Sequence, residues 1–495
     1  MKHNMIKISM ITVACMALTT SAHATLKSEK VTLKGNMQVK FNKLPSSVDT
    51  LKEAFTEGMF YGRLRMNSFY WDWDNTAAGK DNRNLGLGAS LVYKTAPLNG
   101  VSGTVGLYTS QNPFFRMDKD LVGQSKSGKD TFSREKVNSG GGYGLTVLGQ
   151  AYLQYDFSKT SVKLGRQMIE TVFTKSNDTK MIPNTFDALA VTIKDIPDTT
   201  VKLAYIGAQK LRDHESAHDV IAFNNGTGST GIANTNKLSW TENDDSAVNK
   251  SLTVNGAGGT AKIGNNNELI VASVTNKSIK NLKANISYAA VPDVLSNLTL
   301  EAHYTIPVGD WKIVPGIRYM EQMDDLGASV SVANLGKDTT GYNNPTSLDS
   351  NLLAIRTDFK KGAFLGRLGY SKIADEADIV APWRGFPTGG FTRAMAQYNW
   401  YANTKTYMAR VGYDFGKADM IPGFSIMGRY AIQDFDDSKA GVGADSDVIH
   451  IDARQNIGKD LELKLRLGFI DADPGTTGKT DTSYNEYRVE LNYFF

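Results

Sequence analysis

Apolar and polar positions alternate near the C-terminus of this chain. From Leu461 to Phe469 every odd position is apolar (Leu461, Leu463, Leu465, Leu467, Phe469), and between them stand Glu462, Lys464, Arg466 and Gly468. After a polar stretch the period resumes at Tyr487, Val489, Leu491, Tyr493 and Phe495, interleaved with Glu486, Arg488, Glu490 and Asn492. A period of two is that of a strand with one apolar and one wetted face. The same alternation predicts strands at about 58–71, 83–96, 100–111, 147–157, 160–170, 185–195, 198–209, 267–275, 279–290, 297–306, 309–320, 350–360, 363–373, 404–415, 423–434, 446–457, 460–470 and 482–495. That is eighteen strands, an even number as a single-chain bacterial barrel requires, and most are long enough to cross a bilayer when tilted. Alternation is poorest at 267–275.

Every second connection is tight, as at Pro97-Leu98-Asn99, Ser158-Lys159, Ile196-Pro197, Lys361-Gly362 and Gly458-Lys459. The others are mostly longer and polar, notably 112–146, 171–184, 210–266, 321–349 and 374–403. Short turns on one side and long loops on the other are the asymmetry of an outer-membrane barrel. A soluble propeller would show a blade-length repeat, and the chain has none. Glycine runs such as Gly140-Gly141-Gly142 lack the strand–turn–helix setting of a phosphate cradle and read as surface loop. The expected fold is all-β: a transmembrane antiparallel barrel of about eighteen strands with an inward-folded constriction loop.

The N-terminus adds a secretory leader to this picture. Lys2 and Lys7 precede an apolar run, Ile8–Leu18, and Ala22-His23-Ala24 is a small-residue cleavage site. A lipoprotein signal at Cys15 is the rival reading, with Thr12-Val13-Ala14 a poor lead-in. The expected organisation is a signal peptide at 1–24, a periplasmic segment at 25–57 with Val48, Leu51 and Phe55 spaced for one short helix, and the barrel at 58–495. Cleavage after Ala24 removes the single cysteine and leaves 53 basic residues against 51 acidic. That balance argues against nucleic acid as a partner. What selectivity there is must come from how the charges are placed.

Alternation assigns each charge to lipid or lumen. Arg63, Arg65, Arg318, Arg356, Arg367, Arg410, Arg429, Arg454, Arg466 and Arg488 turn inward, with Lys94, Lys194, Lys202, Lys283, Lys312 and Lys464. Acids such as Asp156, Glu301, Asp358, Asp452, Glu462 and Glu490 turn in as well, but bases predominate. An arginine or lysine facing lipid at mid-membrane costs roughly 2–4 kcal/mol, so these groups face water or one another. A column of guanidinium groups can pass a carboxylate from one fork to the next. A barrel of this width needs a loop folded inside it to be selective. The expected one is 171–184, which combines Lys175, Ser176, Asp178, Lys180 and Asn184 with an apolar Met181-Ile182-Pro183 anchor.

Three stretches resemble the OprD-type outer-membrane porins. They are Gly165-Arg166-Gln167 through Asn177-Asp178-Thr179-Lys180-Met181-Ile182-Pro183-Asn184-Thr185-Phe186; then Gly412-Tyr413-Asp414-Phe415 with Ile421-Pro422-Gly423-Phe424 and Met427-Gly428-Arg429-Tyr430; and finally Asn485 to Tyr493. The order and spacing hold over most of the chain from Gly58. The resemblance implies an eighteen-stranded barrel, an inward loop, and a ladder of basic residues leading small solutes, often carboxylates, through a narrow eyelet. By position Arg166, Arg429 and Arg488 match the family's patterned arginines, and Arg166 thereby joins the expected pore lining. The family's loop usually carries an arginine after its aspartate, whereas this chain has Thr179 and then Lys180. Members occur as monomers and trimers, so a homotrimer stays open.

Other classes fit less well. The histidines past the leader are His214, His218, His303 and His450, too sparsely placed for a serine hydrolase. His214 and His218 lack a third metal ligand. A plugged twenty-two-stranded receptor needs a longer chain. Mouth acids such as Asp434, Asp436 and Asp437 leave divalent-cation binding as an alternative for the loops. The expectation is a passive diffusion channel for small hydrophilic solutes, favouring carboxylate-bearing or zwitterionic nutrients, with no cofactor or catalytic group. Its partners would be small solutes, outer-membrane lipid and lipopolysaccharide, and the barrel assembly machinery, through the strand ending at Phe495. The runner-up is a general charge-selective porin without a substrate site; an adhesive or structural barrel comes after it.

Overall fold

The computed structural model describes residues 44–495 apart from 123–130, 139, 219, 221–251, 255–258, 262–267, 326–329, 332–338, 396–397, 440 and 475–478, together with the short pieces 33–34 and 38–39. The expected leader at 1–24 lies outside the described residues.

Eighteen antiparallel strands close into a barrel. They are β1 (Met59–Trp73), β2 (Asn82–Lys94), β3 (Val101–Gln111), β4 (Leu145–Phe157), β5 (Thr160–Gln167), β6 (Thr185–Ile193), β7 (Thr199–Lys210), β8 (Leu269–Asn276) and β9 (Leu282–Val291). The second half is β10 (Leu295–Tyr304), β11 (Trp311–Asp324), β12 (Ser350–Lys361), β13 (Phe364–Ile373), β14 (Lys405–Asp414), β15 (Phe424–Asp434), β16 (Asp445–Ile457), β17 (Leu461–Asp473) and β18 (Tyr484–Phe494). The piece Ile306–Val308 pairs with β11 just as β10 does and is that strand's continuation. Each strand pairs with its sequence neighbours, and β18 closes on β1 from Tyr484 opposite Trp73 to Phe494 opposite Arg63. Closure leaves no open sheet edge, the condition for strands in lipid.

The outer surface is the apolar half of the alternation: Leu64, Val105, Leu153, Leu164, Ile317, Leu368 and Val411 are all exposed. The inner surface is not uniformly polar. Val271, Ala289, Met320, Leu352 and Ile373 are buried inside the barrel in one cluster with Phe173, Trp383, Phe391 and Trp400 from two loops. This explains the weak alternation at 267–275. In β8, Leu269 and Val271 are buried beneath those loops while Ile270 between them faces outward, so both faces are apolar.

At the tight-turn end, a helix α1 (Leu51–Thr56) starts at Thr50, whose hydroxyl caps the Glu53 amide while Glu53 reaches back to the Thr50 N–H. The helix abuts the β2–β3 turn, with the Val48 amide donating to the Pro97 carbonyl and the Ala96 amide to the Ala54 carbonyl, each at 2.8 Å. The spacing of Val48, Leu51 and Phe55 predicts one buried stripe. The helix instead buries Ala54, with Val48 buried just ahead of it, and leaves Leu51 65% and Phe55 57% exposed, because a six-residue helix touches the turn on one narrow face.

Candidate functional site: a lumen narrowed by two loops

The connection from β5 to β6 folds inward, and Asp178 pins it. One Asp178 oxygen bonds the Arg63 guanidinium and the other meets Arg65 Nη1 at 2.7 Å. Arg65 is also held by Glu490 and Asn492, at 2.9 Å each. All of these groups are buried. Burial would raise the Asp178 carboxyl, but Arg63 and Arg65 outweigh it and hold the group below the usual carboxylate range. Beyond Asp178, Lys180 sits 4.5 Å from the Phe69 ring centre. Met181 and Ile182 pack on Tyr108, Leu145 and Val147. Met181 presses on β2 where Gly88 lies; a Cβ there would stand 1.9 Å from the Thr109 carbonyl oxygen and 2.9 Å from the Met181 methyl carbon. Ser176 and Asn184 are buried at the loop's neck. Ser176 donates its N–H and hydroxyl to Glu170, and Asn184 donates to the Lys175 carbonyl. Lys175 is the half-exposed member, 3.5 Å from Glu170.

A second loop, 374–404 between β13 and β14, also enters the lumen, which the sequence reading missed. Its backbone meets the first loop directly: the Lys175 amide donates to the Trp383 carbonyl at 3.1 Å and the Gly385 amide to the Phe173 carbonyl at 2.8 Å. A Cβ on Gly385 would lie 2.2 Å from that Phe173 oxygen, so the loops touch where only glycine fits. The available signal was aromatic content: Trp383, Phe386, Phe391, Tyr398 and Trp400 are too apolar for a connection bathed in water.

Wall arginines hold this second loop by its carbonyls. Arg318 donates to Pro387 at 2.6 Å, Arg356 and Arg367 both donate to Gly390, and Arg429 donates to Arg393 at 2.6 Å. Most of the arginines also have carboxylates: Arg318 has Glu301, Arg367 has Asp358, Arg454 has Glu462, Arg466 has Asp452 and Arg488 has Glu486. Among the described residues Arg410 makes no hydrogen bond or ion pair, and its Nε is buried without a partner. It stands in a row: Arg367 is its register partner on β13 and Arg429 its partner on β15.

Arg166 departs from the expected pore lining. It has the parity of Leu164, which is 60% exposed on the outer face, whereas Lys163 and Gln167 of the same strand line a lumenal cavity. Its guanidinium forks onto Asp187 of β6, two bonds of 2.7 Å, so its charge is neutralised on the outside of the wall.

The outer anchorage of the second loop carries the remaining charge. Lys439 is buried and bonds Asp375 at 2.6 Å, Asp436 at 2.9 Å and the Gly341 carbonyl at 3.1 Å, tying three connections together. Burial pushes the Asp378 carboxyl up to about 6, although the Ala402 amide, the Tyr342 hydroxyl and Lys439 oppose that rise. A raised carboxyl contributes stability while protonated and loses it as pH rises through the raised value. The second loop is therefore expected to dock more firmly at pH 5 than at pH 7.5, with open-channel current noise larger at the higher pH. Asp378→Asn should abolish the difference; noise that ignores pH in the unmodified channel would refute the prediction.

His214 and His218 have ring centres 4.9 Å apart. Among the described residues no group of three or more His, Cys, Asp or Glu is placed to hold a metal ion.

Comparison with known proteins agrees with this geometry. A search of curated proteins returns no match. Solved structures resemble the chain over most of its length. OpdK from Pseudomonas aeruginosa with vanillate is 14% identical, with 88% of this chain and 98% of that one covered at a TM-score of 0.63. OccAB3 from Acinetobacter baumannii is 16% identical, covering 88% and 99% at 0.63. A BenF-like porin from Pseudomonas fluorescens is 15% identical, covering 89% and 99% at 0.65. The family model for OprD-family outer membrane porins matches residues 142–495. The chain belongs to the OprD family of outer membrane porins, channels for small solutes.

Proposed function

We infer that this porin favours small anions, carboxylates foremost, over cations of the same size. The observation that carries the reading is the row Arg367, Arg410 and Arg429, side by side on three adjacent strands beside the second loop. Like charges directly opposite one another destabilise a sheet; Asp358 offsets Arg367 and the Arg393 carbonyl takes Arg429, which leaves Arg410 as the member whose repulsion a passing anion relieves. Arg410, without a partner of its own among the described residues, is the group a passing carboxylate would meet. Fixed charges at a narrow point bias which ions pass. The OpdK structure contains vanillate, a carboxylate, which is in keeping with this reading.

Reversal potential under a KCl gradient tests it. The unmodified channel is expected to lean toward chloride. Arg410→Gln should lower the anion-to-cation permeability ratio severalfold, while Arg410→Lys should largely preserve it. A cation-leaning channel, or one that Arg410→Gln leaves unchanged, would make this a general porin with a mutually screened wall.

A further inference from the structure

On the periplasmic side of the two loops the lumen opens into adjoining cavities of about 550 and 470 Å3. The larger is roofed by Lys175 and Asn177 of the first loop and by Phe386, Gly389 and Gly390 of the second. The smaller lies against β1 and β4 to β8. They share Glu170, Thr171 and Lys202, and so form one chamber with two lobes.

The charged lining is lopsided. Lys163, Lys175, Lys194, Lys202, Lys283 and Arg318 face two acids, Glu170 and Glu301. Both acids are already engaged. Glu301 takes Arg318 and His303, while Glu170 accepts from Ser176 and lies 3.5 Å from Lys175. Lys202 donates to the Glu170 backbone carbonyl at 2.7 Å, not to its carboxylate, and Lys163 lies 4.9 Å from the Tyr152 ring centre. Among the described residues Lys163, Lys194, Lys202 and Lys283 have no carboxylate within ion-pair distance. Lys175, Lys194 and Lys163 all stand close enough to Lys202 to repel it, and the Glu170 carboxylate offsets part of that repulsion. Most arginines of this barrel have a carboxylate partner; among the described residues these four lysines have none at ion-pair distance and line open space.

We propose that this lysine-lined chamber binds small dianions, molecules with two negative groups such as dicarboxylates or phosphate monoesters, just beneath the constriction. The proposal rests on the anion-favouring reading of the channel and deepens it. A monoanion compensates one ammonium and leaves the others repelling. A dianion engages two and relieves the repulsion between them. Lysine is a compact charge on a flexible stem with rotatable donors, suited to anions of different shape, whereas the arginine row offers fixed forks. Walls of low dielectric around a chamber of one sign raise the local concentration of the opposite charge.

The test is block of single-channel KCl current by acetate, succinate or inorganic phosphate added to the periplasmic side. Succinate, phosphate or both are expected to block at concentrations at least about tenfold below acetate, since two charges are engaged instead of one. The stronger of the two names the class, dicarboxylate or phosphate. The double variant Lys202→Gln, Lys283→Gln should erase the preference, and Lys202→Arg, Lys283→Arg should retain it, which separates lost charge from lost folding. If the three anions block alike, or the glutamine variant keeps the preference, the chamber is not a dianion site. Such a result with a chloride-leaning reversal potential leaves the anion-favouring reading standing; a cation-leaning reversal potential overturns both.

Discussion

Replacing Asp178 by alanine is expected to raise single-channel conductance severalfold while leaving the barrel folded. The carboxylate is buried between Arg63 and Arg65 and is the ionic tie between the first loop and β1. Removing one partner of a buried ion pair costs about 3–5 kcal/mol, because the remaining charge is left without compensation. Here two guanidinium groups lose it together, and among the described residues only Arg65 retains another acid at ion-pair distance, Glu490. The loop can relieve the strain by leaving the wall, which admits water to both arginines, whereas the strands cannot separate without breaking their ladders. Asp178→Asn keeps the shape and removes the charge, and should lie between the two. The contact itself brings little pH dependence. A carboxyl held below its usual value of about 3.9 keeps its stabilising effect above that pH and loses it only as pH falls through the lower folded value. A change in current near pH 6 is therefore not due to Asp178, and the part of it that Asp378 causes should disappear in Asp378→Asn. Recordings of Asp178→Ala with unchanged conductance would show that the loop is held by its apolar anchor, Met181 and Ile182, and not by charge.

Trp383→Ala is expected to widen the channel from the other side. Trp383 is fully buried, its ring packs in the same cluster as Phe173, Phe391 and Trp400, and its Nε1 donates to the Val220 carbonyl at 2.9 Å. Truncating a buried tryptophan costs about 3–5 kcal/mol. That loss falls on the apolar seat of the loop; what remains is the arginine bonds to its carbonyls, the backbone contacts with the first loop and the Lys439–Asp375 pair, so detachment at that seat is the expected response. The two loops meet through Lys175 with Trp383 and Gly385 with Phe173. The effects of Asp178→Ala and Trp383→Ala on conductance should accordingly be non-additive, since either substitution already weakens the shared contact. Additive conductance changes, or a Trp383→Ala channel that conducts like the parent, would mean that the second loop lies outside the conduction path.

Much of the architecture is written locally. Strand number, the side each residue faces and the asymmetry of the connections follow from a period of two and from turn chemistry, both of which operate between near neighbours in sequence. The first loop was also legible, since Asp178 and the Met181-Ile182-Pro183 anchor signal a polar tie beside an apolar seat. Even Arg166 was within reach of parity, because Val162 and Leu164 precede it on the outward register. The inward path of loop 374–404 was not, because its aromatic residues find their partners on β8, β9 and β12, far away in sequence. Which charges remain uncompensated was decided by the same long-range closure. Arg63 and Arg65 look like solute-guiding groups until Asp178, more than a hundred residues away, is placed between them. Lys202 and Lys283 look ordinary until the strands of the wall surround one chamber with them. The sequence by itself determined the barrel; tertiary structure decided which of its charges face open space, because charge compensation depends on distance in space and alternation reports only direction from the backbone.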